Sequence, residues 1–179
     1  NGVHRLKQIK ISIGFDGLMI PKIKFYNQQK YAGDDEVLRE SILESKKEKN
    51  DVVVFDRGLK TRKAFAEITD QKKFFVTRMN PSKAVKVINS LADVKGKQTA
   101  SLQLISDEKV YLYHGQHVKF EMPFRLIRAQ SLQSGEQLFF VTNIWNMDAE
   151  NITEIYKRRW DSEVFFKFLK QEMNLKHFA

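Results

Sequence analysis

The chain has 179 residues, 42% of them hydrophobic and 30% charged, with 14 Phe, 5 Tyr and 2 Trp. This composition is typical of one globular domain and excludes a fibrous chain or one that is mainly disordered. The 31 Lys and Arg residues against 22 Asp and Glu give a formal charge of +9, which favours polyanionic partners such as nucleic acid. Because cysteine is absent, disulfides, thiolate metal sites and cysteine nucleophiles are excluded.

The sequence shows neither a membrane span nor a signal peptide. No apolar run approaches the roughly 18 to 20 residues that cross a bilayer, and the first ten residues lack a charged head followed by an apolar stretch. We therefore expect an intracellular protein with no membrane contact. The sequence begins at Asn1 without an initiator Met and ends in a segment that alternates apolar and basic residues, so we expect a fragment of a longer chain.

The first part of the chain, residues 1–79, alternates strands and helices. Apolar alternation on both sides of an Asp16-Gly17 turn predicts a β-hairpin, and short β-branched or aromatic runs predict buried strands. The predicted elements are a hairpin in residues 9–25, helices around 37–42 and 60–69, and strands at 52–55 and 74–77.

The pattern changes after residue 79. Between 80 and 142, alternating segments are separated by turn pairs, which predicts a mostly antiparallel β-rich insertion. The turn pairs are Asp107-Glu108, His114-Gly115 and Ser134-Gly135. Residues 143–179 complete the fold with one long helix from Asp148 to Met173, which contains no Gly or Pro and which Asp148 can cap.

These elements predict an α/β fold with a mixed sheet, in which the strand at 52–55 lies centrally. Asp56 follows that strand directly. In open α/β sheets, functional groups collect at the carboxyl ends of the strands, so Asp56 is a candidate metal ligand or catalytic group. For an Asp considered alone, a polar residue that opens a loop is the commoner role.

A second candidate carboxylate lies on the predicted last helix. Tyr156, Arg159, Glu163 and Lys170 share a stripe about 60° wide at ~100° per residue. A carboxylate between two cations suits a metal ion on Glu163 and phosphates over the cations. The alternative is an ordinary amphipathic helix with an Arg159–Glu163 pair. The opposite side carries the apolar residues that we expect to anchor the helix on the sheet: Phe165, Phe168 and Leu169.

The spacing Tyr-x2-Arg-x3-Glu-x6-Lys, met without a gap by those four residues, resembles the C-terminal signature of the insertion-sequence-4 family of bacterial DDE transposases. Two further segments are similar to that family. Residues 53–58 (Val-Val-Phe-Asp-Arg-Gly) resemble the region of the second catalytic Asp, and residues 141–143 (Val-Thr-Asn) resemble the segment before the last helix. The resemblance covers most of the chain, and the β-rich block falls where the family has its insertion.

The resemblance implies an RNase H-like core (retroviral integrase superfamily) with flanking helices. Asp56 would be the second member of the Asp-Asp-Glu triad and Glu163 the third, holding two Mg²⁺ (or Mn²⁺) ions, while Tyr156, Arg159 and Lys170 would contact DNA. The implied activity is metal-dependent hydrolysis at transposon ends followed by strand transfer. The implied partner is double-stranded DNA. We expect a homodimer on DNA because two ends must meet, and a place in the bacterial cytoplasm, on the nucleoid.

The first Asp of the triad has no clear counterpart in this sequence. In the family it lies on the strand before the hairpin, so we expect that strand upstream of Asn1 and expect this fragment to be inactive by itself. Asp16 is a weaker candidate because its place in the hairpin turn accounts for it. Two alternatives stay open: an RNase H-like nuclease, and a catalytically inactive transposase-derived protein that only binds DNA.

Overall fold

The computed structural model describes residues 10–14, 22–26, 34–45, 51–57, 59, 62–80, 85–114 and 118–172. Its elements, in chain order, are β1 (Lys10–Gly14), β2 (Lys22–Tyr26), α1 (Asp34–Glu44), β3 (Val52–Phe55), α2 (Lys63–Asp70), β4 (Phe74–Arg78), β5 (Val85–Ala92), β6 (Leu102–His114), β7 (Val118–Ser131), β8 (Gln137–Thr142), α3 (Ala149–Lys157) and α4 (Arg159–Glu172). None of the helices in these ranges is long and apolar enough to cross a membrane.

A six-stranded mixed sheet, in the order β3-β4-β8-β7-β6-β5, organises the molecule. β3 and β4 are parallel, and the other neighbouring strands are antiparallel. The prediction that the strand at 52–55 is central is wrong for the described strands, because β3 pairs with β4 alone and lies at one end of this sheet. The predicted hairpin is confirmed as the antiparallel pair β1-β2, and its Asp16-Gly17 turn lies outside the described residues.

The β-rich segment at 80–142 extends the same sheet. β8 pairs with β4, and β7, β6 and β5 follow in that order. The predicted turn at Asp107-Glu108 is wrong because β6 passes through both residues. Asp107 is buried there and accepts two hydrogen bonds from the Arg125 guanidinium on β7, at 2.8 and 2.7 Å. A strand interior accommodates this Asp because a buried cation on the neighbouring strand, two residues from its register partner Ile127, pairs with it.

Side-chain alternation gives the sheet two apolar faces, each covered by helix. On one face, α2 packs through a cluster of aromatic rings whose centroids are 5.2 to 6.2 Å apart: Phe55, Phe65, Phe75 and Phe124. On the other face, Ile152 and Tyr156 of α3 pack against Val76 and Phe140. Full burial of each such side chain contributes about 1.5 to 3 kcal/mol. The result is a mixed sheet between helices.

The predicted single helix from Asp148 to Met173 is interrupted. α3 ends at Lys157 and α4 begins at Arg159, with a turn at Arg158 between them. Arg158 keeps right-handed helical angles, φ −60° and ψ −16°, so residues on the two sides of the interruption stay in helical spacing. Asp148 occupies the N-cap position of α3, but its side chain makes no capping hydrogen bond.

Candidate catalytic site

Asp56 lies at the edge of the sheet where the carboxyl ends of β3 and β4 meet. Val52 and Val54 pack on the α3 face, so alternation along the chain directs Asp56 to that face as well. Its Oδ1 accepts hydrogen bonds from the backbone N–H of Arg57 at 2.7 Å and from the Tyr156 hydroxyl at 3.4 Å. The side chain is exposed, so a ligand can reach its second oxygen.

The loop between β8 and α3 sets the path of α3. β8 is antiparallel to β4, so it ends at the edge opposite Asp56. There the Nη1 of Arg125 donates to the carbonyl oxygens of Ile144 and Met147, at 3.2 and 2.6 Å. Arg125 thereby fixes the loop from which α3 starts back across the sheet, toward the edge that carries Asp56.

The Thr-Asn segment at the end of β8 is structural. Thr142 donates to the carbonyl of Phe75, and Asn143 Oδ1 accepts from the Phe75 N–H at 3.0 Å. Asn143 Nδ2 donates to the Lys73 carbonyl at 2.8 Å. These bonds lie at the edge opposite Asp56, so they hold β8 against β4 and do not contribute to the site directly.

Tyr156, in the last turn of α3, reaches Asp56 from that helix. The residue is 3% exposed, and its ring packs edge-on against Phe140, with centroids 5.3 Å apart. Only the hydroxyl emerges at the sheet edge, where it donates to Asp56, a residue 100 positions earlier in the sequence.

Arg159 and Glu163 extend the contact from Tyr156. Arg159 Nε donates to the Tyr156 hydroxyl oxygen at 3.1 Å, and Arg159 Nη1 donates to Glu163 Oε1 at 2.5 Å. The guanidinium also lies over the Tyr156 ring, 5.3 Å from its centroid. The structure therefore brings together Asp56, Tyr156, Arg159 and Glu163, which we call the Asp56–Glu163 row.

The electrostatics of the row favour a neutral tyrosine and a charged arginine. Burial raises the pKa of Tyr156, with Asp56 adding to the effect and Arg159 opposing it. Burial disfavours the charged form of Arg159, but the hydrogen bond to Glu163 and the charges nearby outweigh it, so its pKa is raised. At neutral pH the row thus contains a hydroxyl donor and a cation between two carboxyl groups.

Arg78 is a site residue that the sequence analysis did not single out. Phe55 pairs with Thr77, so Arg78 is the neighbour of Asp56 on the next strand. Its positive charge lowers the pKa of Tyr156, against the effect of burial, and its Nη2 donates to Glu136 Oε1 at 2.8 Å. Its Nε is buried and has no hydrogen-bond partner among the described residues. The parallel pairing of β3 with β4 is the signal that would have revealed this neighbour.

The other predicted residues of the last helix are placed less fully. Lys170 belongs to α4, but its side chain lies outside the described residues, so its contact with DNA stays a prediction. The expectation that Phe168 anchors the helix is wrong, since it is 55% exposed, and Val164 is 70% exposed. The reason is that α3 has already crossed the sheet when α4 begins. Of the predicted anchors, Phe165 is half-buried and the side chain of Leu169 is not described.

Each of the two carboxylates of the row has one oxygen that is open to a ligand. Asp56 Oδ2 and Glu163 Oε2 accept no hydrogen bond from the described residues, and both side chains are exposed. Carboxylate oxygens are the ligands that Mg²⁺ prefers. Within the described ranges, no group of three or more His, Asp or Glu side chains is arranged to hold a metal ion. The row itself contains two carboxylates, those of Asp56 and Glu163.

Comparison with known proteins identifies the family. A Sinorhizobium fredii (strain NBRC 101917 / NGR234) protein that carries the name transposase y4zB is 27% identical over 125 residues, which are 70% of this chain and 35% of that protein. A Geobacillus stearothermophilus protein named as a transposase for insertion sequence element IS5377 is 40% identical over 42 residues, 24% of this chain and 11% of that protein. The chain thus spans about a third or less of these relatives. Residues 1–179 match the family described as the transposase DDE domain, and the chain belongs to that family.

Proposed function

We propose that the chain is the catalytic part of a bacterial DNA transposase of the insertion-sequence-4 type, with an RNase H-like core. The full-length protein hydrolyses one strand at each transposon end and joins the free 3′ hydroxyl to target DNA. The observation that carries the proposal is the Asp56–Glu163 row, which links two carboxylates from distant parts of a DDE-domain chain. The first Asp of the triad would lie on a further strand beside β3, whose outer edge no described strand covers.

Asp56 and Glu163 would hold Mg²⁺ or Mn²⁺ through Oδ2 and Oε2. Two such ions, when bound, activate the attacking oxygen of a phosphodiester cleavage and stabilise the leaving one. The protein side chains position the ligands. The Tyr156 hydroxyl and the Arg57 N–H orient the Asp56 carboxylate, and Arg159 orients Glu163. Removing Arg159 would therefore disturb both the carboxylate and the DNA contact.

DNA would lie across the edge of the sheet that carries the row. Arg159 uses Nε and Nη1 within the row, so its Nη2 remains available for a phosphate oxygen. Lys170, three to four helical turns beyond Tyr156 at 3.6 residues per turn, would contact the same backbone farther along. Since the two transposon ends must meet, we propose that the full-length protein works as a homodimer on DNA.

The decisive test replaces each carboxylate with its amide in the full-length protein. Asp56→Asn and Glu163→Gln should each lower Mg²⁺-dependent cleavage of transposon-end DNA by at least about a thousandfold. The reason is that the amide keeps the shape of the carboxylate but lacks the negative charge that binds the metal ion. Binding of the same DNA without divalent metal should persist. Cleavage is measured on labelled duplex, and binding by fluorescence anisotropy.

Glu172→Gln is the matched control. Glu172 is an exposed carboxylate on the same helix, nine residues after Glu163 and so about 180° around it. Cleavage that survives Glu163→Gln as fully as it survives Glu172→Gln would refute the assignment of Glu163. Cleavage without strand transfer by the wild-type protein would favour the nuclease alternative, and binding without cleavage would favour the DNA-binding alternative.

A further inference from the structure

An arginine next to Asp56 has no acidic partner in the part of the chain that the structure describes. Arg57 is exposed, and among the described residues its guanidinium forms no ion pair. Two other described arginines near Asp56 differ from it, because Arg78 is paired with Glu136 and Arg159 with Glu163. Among the described residues, Arg57 is therefore a cation next to Asp56 whose charge a ligand meets without displacing a carboxylate.

The guanidinium of Arg57 is nevertheless oriented. Its Nη1 donates to Asn80 Oδ1 at 3.3 Å, and its backbone N–H donates to Asp56 Oδ1 at 2.7 Å. Arg57 follows β3 and Asn80 follows β4, so the two side chains lie together at the carboxyl edge of two parallel strands. Ligands of open α/β sheets bind at such edges.

We propose that Arg57 and Asn80 form a phosphate-binding site for the DNA strand that lies at Asp56. A guanidinium has five N–H donors, and Asn80 takes up one of them, which leaves a fork that matches two oxygens of a phosphodiester. The Nδ2 of Asn80 adds a neutral donor beside that fork. The phosphate bound there is a backbone phosphate close to the one at the carboxylates. This inference rests on the proposed function, since it requires a DNA strand at Asp56.

The experiment measures binding of a transposon-end duplex to the full-length protein over a series of salt concentrations, without divalent metal. Arg57→Ala should weaken binding about tenfold and reduce the slope of log K against log salt concentration by about 1, because one phosphate contact is lost. Arg57→Lys should keep most of the salt slope because it keeps the positive charge. It should lose affinity for DNA severalfold because lysine lacks the forked N–H donors of the guanidinium.

Lys86→Ala is the matched control for charge. Lys86 is exposed on β5, at the other end of the sheet from β3, and its loss changes the net charge by the same amount. We expect Lys86→Ala to leave the slope unchanged. Because Arg57 and Lys86 are both exposed, thermal unfolding should show similar stability for the two variants.

A second arm identifies the phosphate. Neutral methylphosphonate linkages are placed one at a time along the duplex. At one position the linkage should weaken DNA binding by the wild-type protein about tenfold, and it should not weaken binding by Arg57→Ala any further. Equal affinity and slope for Arg57→Ala and Lys86→Ala, in a wild-type protein that cuts transposon ends, would overturn this inference alone. A wild-type protein that neither binds nor cuts such DNA would overturn the proposed function.

Discussion

Tyr156 serves two purposes with two parts of one side chain. The ring fills the α3 face of the core against Phe140, and the hydroxyl connects Asp56 to Arg159. A phenylalanine would keep the first role and lose the second. Substitutions of Tyr156 can therefore test the packing of α3 and the hydrogen bonds of the site separately.

Replacement of Tyr156 should show this separation in the unfolding free energy. Tyr156→Phe should cost about 1 kcal/mol, since one hydrogen-bonding group is removed, whereas Tyr156→Ala should cost about 3 to 5 kcal/mol through the cavity it leaves. Urea denaturation at neutral pH measures both. Cleavage of transposon-end DNA by the full-length protein should fall in Tyr156→Phe although the fold is kept. Equal losses of stability in the two variants would contradict the buried position of the ring.

The raised pKa of Tyr156 also predicts a pH dependence of stability. Because folding favours the protonated hydroxyl, its contribution is fully present below the ordinary pKa near 10 and is lost as pH rises through the higher pKa of the folded state. The unfolding free energy of the wild type should therefore fall more steeply above about pH 10 than that of Tyr156→Phe. If the unfolding free energies of the two proteins changed in parallel with pH, burial would not raise the pKa of Tyr156.

Site residues in helical spacing were predictable from the sequence, and site residues on neighbouring strands were not. The spacing of Tyr156, Arg159 and Glu163 follows the helical period, which survives the turn at Arg158, so their common stripe could be read directly. Arg78 is brought to Asp56 by the register of β3 and β4, and register is a property of the folded sheet.

The buried pair of Asp107 and Arg125 joins three parts of the fold. It links β6 to β7, and the same guanidinium holds the loop that leads into α3. Two charges that are 0% and 5% exposed depend on each other, since either one left alone would remain desolvated and unpaired.

Asp107→Ala should therefore lower the unfolding free energy by about 3 to 5 kcal/mol. The matched control is Glu154→Ala, which removes the carboxylate of the exposed Lys157–Glu154 pair and should cost less than about 1 kcal/mol. Urea denaturation compares the two. If Asp107→Ala lowered the unfolding free energy no more than the control did, the Asp107–Arg125 pair would be exposed to water in solution.

The element-level errors have physical causes. An Asp inside a strand resembles a turn residue in the sequence, because the arginine that compensates for its burial is 18 positions away. The strand β5 was not predicted, because its residues are exposed or half-buried and its sequence shows no regular apolar alternation. The interruption at Arg158 could not be predicted, because the sequence there contains no Gly or Pro. The strands that pack on both faces, β3 and β4, were predicted correctly.

The described site has two carboxylates in a chain of net charge +9. Two carboxylates hold metal ions less firmly than three. We therefore expect the 179-residue chain by itself to show no Mg²⁺-dependent cleavage of transposon-end DNA, while the full-length protein cleaves it. A gel assay with equal amounts of the two proteins is the measurement. Robust cleavage by the short chain that disappears in Glu163→Ala would contradict the need for a third carboxylate.

The pairing of β8 with β4 has a consequence for the order of folding. Asp56 leaves the ribosome early, yet Tyr156 reaches it only after 100 further residues have been made and β8 has docked on β4. Contacts of such long range form late, because the intervening chain must first be ordered. We therefore expect Asp56 and Glu163 to come together late in folding, and a nascent chain that ends before α4 contains Asp56 without Glu163.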